Sequence, residues 1–324
     1  MIFPSFLLGS LQDDAEKHFK DGMDFNKQRR FPDAMRELTR AVELNLELNK
    51  YHQALFLTYT QNREGLKAIK VYQELAAKNP RSPAVHYWLG RLYLESGKLE
   101  DAAVQFKAAS ELSPKDEHPL ISLGHVYSRL GKDQEALSAY QAADRLTPRL
   151  AVIHTGMGNV YYHKKDFTPA RKEYEAALKL DPSFEEARYN LSLIYEKQGE
   201  IDLAIKEWKY LLDADPNESR IRSRLAMVYF ERNQYRDAVR EFTLLSQINQ
   251  RSAEVYFMLG KSEVLLAAES KDPNERDDLR ESAISAFQHA LEFDSDNIEA
   301  KKYLDRLLAV KPSGNKKDIP VKKN

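Results

Sequence analysis

PAVHYWLGRLYLESGKLEDAAVQFKAASELSPKD, residues 83–116, is the stretch on which the fold turns. It holds two helical segments, the first carrying Leu89, Gly90 and Tyr93 and the second Ala102, Phe106 and Ala109. Gly97 lies between them, where a helix end accepts a left-handed cap, and Pro114 follows the second, where a helix must stop. Shifted by 34 residues, the pattern returns along the chain, so eight units start at Ala15, Asn49, Pro83, Glu117, Ala151, Glu185, Ser219 and Ala253. A period of this length marks stacked helical hairpins, none of which buries enough apolar surface alone.

Each position in the unit has its own chemistry. Position 20 is alanine throughout: Ala34, Ala68, Ala102, Ala136, Ala170, Ala204 and Ala238, with Ala283 after an 11-residue insertion in the eighth unit. Position 24 is large, from Leu38 and Tyr72 to Trp208, Phe242 and Phe287. Position 11 is aromatic in seven units, and position 8 is small except at Phe56. Small residues at positions 8 and 20 let the two helix axes of a unit approach to about 8 to 10 Å, and the large residues at 11 and 24 fill the space around that contact. Gly97, Gly131, Gly199 and Asn233 fall at the turn, position 15, and Pro80, Pro114, Pro148, Pro182 and Pro216 at position 32. Departures cluster towards the ends: Leu46, Phe56, Gln250 and Glu263 replace the expected types.

Read in one register from residue 15 to 297, this resembles the tetratricopeptide repeat. The resemblance implies an all-α fold: a right-handed α-solenoid, or superhelix, of eight helix-turn-helix repeats whose first (A) helices line a concave wall. Residues 1–14 form an N-terminal segment, 298–310 an amphipathic capping helix and 311–324 a basic disordered tail. In the insertion, Asp272, Pro273 and Glu275 read as an N-cap, a first-turn proline and a capping-box acid, so helix A runs on towards Ser270 and helix B begins near Pro273.

Composition excludes several functions. Lys plus Arg (49) balances Asp plus Glu (50), leaving no field for nucleic acid or an anionic membrane. The absence of cysteine removes disulfides, thiolate nucleophiles and cysteine metal sites. Glycines of the Leu-Gly pairs sit inside helices, not in a phosphate-cradling loop, and no nucleophile elbow or metal-ligand spacing occurs. His18, His52, His86 and His154 occupy position 4, where the family packs an aromatic, so they read as core, and acids on the B helices read as a solvated face. The expectation is a non-enzymatic protein with no cofactor and no metal. No window reaches the roughly 18 apolar residues of a membrane span. Residues 1–11 lack a basic n-region and a cleavage pattern, so a cytoplasmic location is favoured, with export as the alternative.

The resemblance places the ligand on A-helix positions 2, 5, 6, 9, 12 and 13, which supply Tyr87, Trp88, Arg91, His118, His125, Arg129, Asn159, Tyr162, Tyr189, Asn190, Arg220 and Arg224. Amides pair with peptide backbone, arginines with carboxylates, and aromatics with apolar anchors. Thr155, Asn159, Asn190, Arg220 and Arg224 also fit, apart from the uncharged Thr155, the carboxylate clamp of chaperone-binding family members. The functional expectation is an adaptor or scaffold that holds a protein or peptide partner, with an acidic or C-terminal segment as the clamp ligand. A regulatory or assembly subunit docking through its convex face or the eighth-repeat hairpin is the alternative, and an RNA-binding helical repeat is a third reading that the 34-residue period disfavours.

Overall fold

The structure is a computed structural model that describes residues 5–309, and all regular elements among them are α-helices. The hairpins are α1 (Ser5–Lys27) with α2 (Phe31–Leu44), α3 (Asn49–Gln61) with α4 (Gly65–Lys78), α5 (Pro83–Glu95) with α6 (Leu99–Leu112), and α7 (His118–Arg129) with α8 (Asp133–Leu146). They continue as α9 (Ala151–His163) with α10 (Phe167–Leu180), α11 (Glu185–Lys197) with α12 (Ile201–Ala214), α13 (Ser219–Glu231) with α14 (Tyr235–Ile248), and α15 (Ala253–Glu269) with α16 (Pro273–Phe293). A last helix, α17 (Ile298–Ala309), packs on α16. The fold is an α-solenoid of stacked hairpins. Residues 5–14 are helical and continuous with α1, and the basic tail 311–324 lies outside the described residues. No helix among the described residues is long and apolar enough to cross a membrane.

The chain divides into two compact units between Ala187 and Arg188, inside α11. In the first, the core runs through Leu38, Tyr51, Leu55, Tyr72, Trp88, Leu92 and Phe106, with a second cluster around Tyr140, Ile153 and Val160. In the second, Trp208 and Phe242 are sealed from solvent, and Phe287 closes the last hairpin against Tyr303 of α17. Neighbouring A helices also touch one another directly, α1 on α3, α3 on α5 and α7 on α9, so that within the first unit A helices line up side by side in two runs, α1–α3–α5 and α7–α9.

Within a hairpin the small residue at position 8 opposes the large one at position 24, not the alanine at position 20. A β-carbon on Gly90 would lie 2.8 Å from the Phe106 ring, and one on Gly158 2.5 Å from Tyr174. Such distances cannot be tolerated, so glycine is there to seat the ring. Repeat 2 tests the rule by breaking it. With Phe56 at position 8, α3 and α4 make far fewer close backbone approaches than α5 and α6 or α7 and α8, and the Phe56 ring turns to meet Trp88 of the next repeat at 5.4 Å.

The hairpin turn is more uniform than its residues suggest. Gly97, Gly131, Gly199 and Asn233 have φ of 73°, 69°, 76° and 58°, and Arg29, Arg63 and Lys165 at the same position have 59°, 58° and 63°. Three bulky residues therefore occupy the left-handed region because the turn demands it. In the insertion, α15 runs to Glu269 and α16 opens at Pro273, capped by Asp272, whose Oδ1 accepts from the Asn274 N–H at 2.9 Å. Glu275 is not a capping-box acid. It turns instead to Ser270 and to Arg236 of α14. Arg280 donates to the Leu307 carbonyl, which ties the lengthened α16 to α17.

Two stability measurements check this account. Ala136 is fully buried between α7 and α8, and Ala136→Leu should lose roughly 1 to 3 kcal/mol by overpacking in urea unfolding, while Trp208→Ala loses roughly 3 to 5 through a cavity. Exposed Leu66→Ala should change little. Lys165→Gly relieves a left-handed strain of roughly 1 to 2 kcal/mol and gives back part of it as unfolded-state entropy, for a net gain of about 0.5 to 1 kcal/mol. Gly131→Ala should move the melting temperature the opposite way.

Candidate functional site

The A-helix residues that the core leaves available fall into two sets, one in each unit. In the first unit Phe56 and Trp88 form a platform, and the Arg91 guanidinium lies over both rings, 4.7 and 4.6 Å from their centroids. Trp88 is not a wall residue as its position implied: it is 2% exposed, its Nε1–H donates to Asn49 Oδ1 at 2.9 Å, and His52 stacks on it at 6.1 Å. Tyr87 stands edge-on to Trp88 at 5.7 Å and is half-buried. Arg91 has no salt bridge among the described residues, so its charge is held by aromatic faces alone.

Farther along the same unit, Asn159 is tied on both sides: Tyr174 Oη–H donates to its Oδ1 at 2.8 Å, and its Nδ2 donates to Glu186 Oε1 at 3.0 Å. His125 is exposed at the edge of this group. Partial burial and the neighbouring Arg129 lower its pKa, and Glu186 opposes them. Tyr162 packs its ring on Phe167 at 5.7 Å. Thr155 is buried, and its hydroxyl donates to the Ala151 carbonyl at 2.9 Å, so it offers nothing to a ligand.

In the second unit Arg220 lies over the Tyr189 ring, 5.6 Å from its centroid, and reaches Glu218 at 3.5 Å. Arg224 is paired with Glu196 of α11. The two like charges four residues apart are thus each compensated. Asn190 is half-buried on the same face of α11 as Glu186, one turn further on. Asn159 lies in the first unit, and Asn190, Arg220 and Arg224 lie in the second.

Family models described as tetratricopeptide repeats match residues 60–123, 120–151 and 185–218, and one described as a TPR repeat matches 158–199. The chain is a tetratricopeptide repeat (TPR) protein. Among solved structures it is similar to the APC/C hetero-tetramer Cut9–Hcn1, at 18% identity and a TM-score of 0.52, over 92% of this chain and 55% of that one. It therefore spans about half the length of that chain. It is also similar to pilF of Pseudomonas aeruginosa (18% identity, TM-score 0.52, 69% of this chain and 97% of that one) and to YrrB, a TPR protein with an unusual peptide-binding site (21%, 0.50, 62% and 97%). At these identities the likeness speaks to the fold. No curated protein sequence matches the chain.

The TPR register explains a second set of polar residues that sequence reasoning missed. The residue at position 4 reaches across its hairpin to position 23: His18 to Glu37, His86 to Gln105 and His154 to Glu173 at 2.7 to 2.8 Å, then Arg188 to Glu207 and Arg222 to Glu241. Two of these side chains also bond the carbonyl six residues upstream, His86 that of Pro80 and Arg222 that of Pro216, and His52 does the same with Leu46 while its other nitrogen meets Tyr72. Only His52 is a sealed core histidine, and burial lowers its pKa to about 4. Glu207 and Glu241 are buried partners, not a solvated face. The signal was available as a 19-residue offset between His or Arg and Glu or Gln in five of the eight repeats, the first, third, fifth, sixth and seventh.

Two further groups look like chemistry and serve structure. Asp116, Glu117 and His118 are the only His/Asp/Glu trio of metal-binding spacing among the described residues, and Asp116 Oδ1 is already occupied by the His118 N–H at 3.0 Å and Nδ1 at 2.9 Å at the start of α7. Glu263, at a position usually aromatic, is 3% exposed, accepts from Ser282 Oγ at 2.5 Å, and leaves Oε2 without a partner. Burial raises its pKa to about 7, against the opposing hydrogen bond from Ser282.

Because the folded carboxyl holds its proton up to about pH 7 and the unfolded one releases it near 4.5, the native state binds the extra proton between those values. Its contribution to stability therefore falls as pH rises from about 5 to 7 and is flat above, on the order of 3 kcal/mol in full. Glu263→Gln should remove this slope, and in urea titrations at pH 8 the variant should be the more stable protein. Parallel pH profiles for variant and wild type would contradict it.

Proposed function

We propose that this TPR protein, a protein-interaction module by its family, is a non-catalytic adaptor that captures an extended peptide segment or partner helix along its A-helix wall. The observation that carries the reading is Arg91. Its guanidinium is ordered by Phe56 and Trp88 and has no acidic partner among the described residues, so its donors are preorganised without being consumed. An acidic side chain or a C-terminal carboxylate is the group such a site accepts.

The likeness to YrrB supports a peptide-holding surface in a fold of this kind. The clamp-like set around Arg220 and Arg224 is a weaker acceptor, because an acidic ligand there must displace Glu196 from Arg224 and share Arg220 with Glu218.

Crosslinking in native lysate, followed by binding measurements on the recovered partner, tests the proposal. Losing a charge-assisted bond of roughly 1.5 to 3 kcal/mol, Arg91→Ala should bind about 10- to 150-fold more weakly, with a deficit that shrinks as salt rises. Melting should change little, since the guanidinium covers the platform without supporting the core. Crosslinks confined to the B helices, with affinity unchanged in Arg91→Ala, would overturn the reading.

A further inference from the structure

Position 24 carries a tyrosine in three repeats, and two of the three phenols are satisfied. Tyr72 Oη lies 2.9 Å from His52 Nδ1, and Tyr174 Oη–H donates to Asn159. Tyr140 is only 4% exposed, yet its hydroxyl has no hydrogen-bond partner among the described residues. Polar atoms such as Trp208 Nε1 and Glu263 Oε2 are unpartnered and fully closed off from solvent. Tyr140 Oη is not among these, so the hydroxyl keeps an opening.

Two glycines define where it opens. The Tyr140 ring lies against Gly124 of its own repeat, where a β-carbon would come within 2.9 Å, and its far end passes Gly156 of α9. A β-carbon on Gly156 would sit 2.4 Å from Tyr140 Cζ and 2.7 Å from Oη. Gly156 stands at A-helix position 6, which Trp88, Ser122, Asn190 and Arg224 hold in other repeats. A glycine inside a helix costs about 1 kcal/mol, and phenylalanine, present at this core position as Phe106, Phe242 and Phe287, would fill the space with no polar atom to satisfy. The core gains nothing from the hydroxyl, which the missing side chain leads to the A-helix wall.

The surroundings specify what it meets. Asn159 holds Glu186 by Oε1 and leaves its second oxygen without a partner among the described residues. The Glu186 charge acts on both Tyr140 and His125, and Arg129 acts on His125. A carboxylate entering here is repelled by Glu186. An ammonium is repelled by Arg129 and leaves the phenol hydrogen without an acceptor. A neutral group with one acceptor and one donor satisfies both fixed groups.

We propose that Tyr140 and Glu186 form a subsite for the carboxamide side chain of an Asn or Gln in a bound peptide, the Tyr140 hydroxyl donating to the amide oxygen and Glu186 accepting from the amide nitrogen. This rests on the reading of the A-helix wall as a peptide groove, and it adds a neutral specificity element to the charge selectivity at Arg91.

The test uses the full chain with ring-labelled tyrosine and capped pentapeptides of alanine carrying Gln, Glu, Lys or Ala at the centre, read by NMR. The Tyr140 resonance is assigned by its loss in Tyr140→Phe, a variant whose melting should stay close to wild type because the ring remains. The Gln peptide should shift that resonance saturably and bind more tightly than the other three. Tyr140→Phe should weaken it about 2- to 10-fold, and Glu186→Ala about 10-fold or more. Equal affinity of the Gln and Ala peptides, preference for Glu or Lys, or no effect of Tyr140→Phe overturns the subsite. So does the absence of any shift at Tyr140 at millimolar peptide. None of these outcomes touches the Arg91 experiment, on which the wider groove reading stands or falls.

Discussion

Seven of the eight hairpins are built on one steric constraint, a large side chain at position 24 seated against a residue with little or no side chain at position 8. Phe106 on Gly90 and Tyr174 on Gly158 approach so closely that even a methyl group would collide. This contact sets the distance between helices A and B, and the left-handed residue at position 15 sets how the chain returns. With both fixed, each hairpin stacks on the next, and in the first unit this brings α1 against α3, α3 against α5 and α7 against α9 to form the A-helix wall. Stability in such an array is a sum of local units and neighbour interfaces. A fault in one repeat is therefore felt mainly beside it, as the splayed α3 and α4 around Phe56 show.

The repeat and the all-α class were legible in the sequence because steric identity is written in residue size. An alanine series and a glycine series at a fixed spacing arise where helices must approach closely at regular intervals. Turn geometry was only partly legible. Glycine and asparagine announce a left-handed residue, but Arg29, Arg63 and Lys165 adopt the same φ because the flanking helices impose it, at a local cost that their side chains do not advertise. The site was less legible still. Position numbering put Trp88 on the wall, yet the splay at Phe56 lets it sink into the core, and no rule about position 6 anticipates a fault in the preceding repeat. The pairs from position 4 to position 23 were hidden because they alternate between His, Arg, Glu and Gln, types that ordinarily signal a solvated surface.

The two features that bear on binding are departures from the repeat rule. Phe56 stands where a small residue belongs, and the ring it cannot seat inside its own hairpin joins Trp88 as the platform under Arg91. Gly156 is small where other repeats carry a side chain, and it lets the end of Tyr140 through. A scaffold whose local rules agree everywhere has no reason to keep an exception unless something offsets it. Glu263 is the counterexample that keeps this argument within bounds. It too breaks the rule, but it is buried between α15 and α16 with Ser282 as its partner, and the consequence is a stability that depends on pH.

Charge compensation separates the two units as recognition surfaces. In the second unit Arg188, Arg220, Arg222, Arg224, Arg232 and Arg236 each have an acidic partner, respectively Glu207, Glu218, Glu241, Glu196, Asp202 and Glu275. Where such a pair is exposed it contributes about 1 kcal/mol or less, so a ligand can replace it, but the ligand gains only the difference between two similar interactions. In the first unit Arg91 rests on aromatic rings and Arg129 has no ion pair among the described residues. An acidic group meeting Arg91 exchanges water, not a competing carboxylate, and keeps the cation–π contact beneath it. The larger net gain is therefore on the first unit's wall. Near neutrality of the whole chain does not oppose this, because the balance of 49 basic and 50 acidic residues is a sum over the chain and does not fix the local field at Arg91.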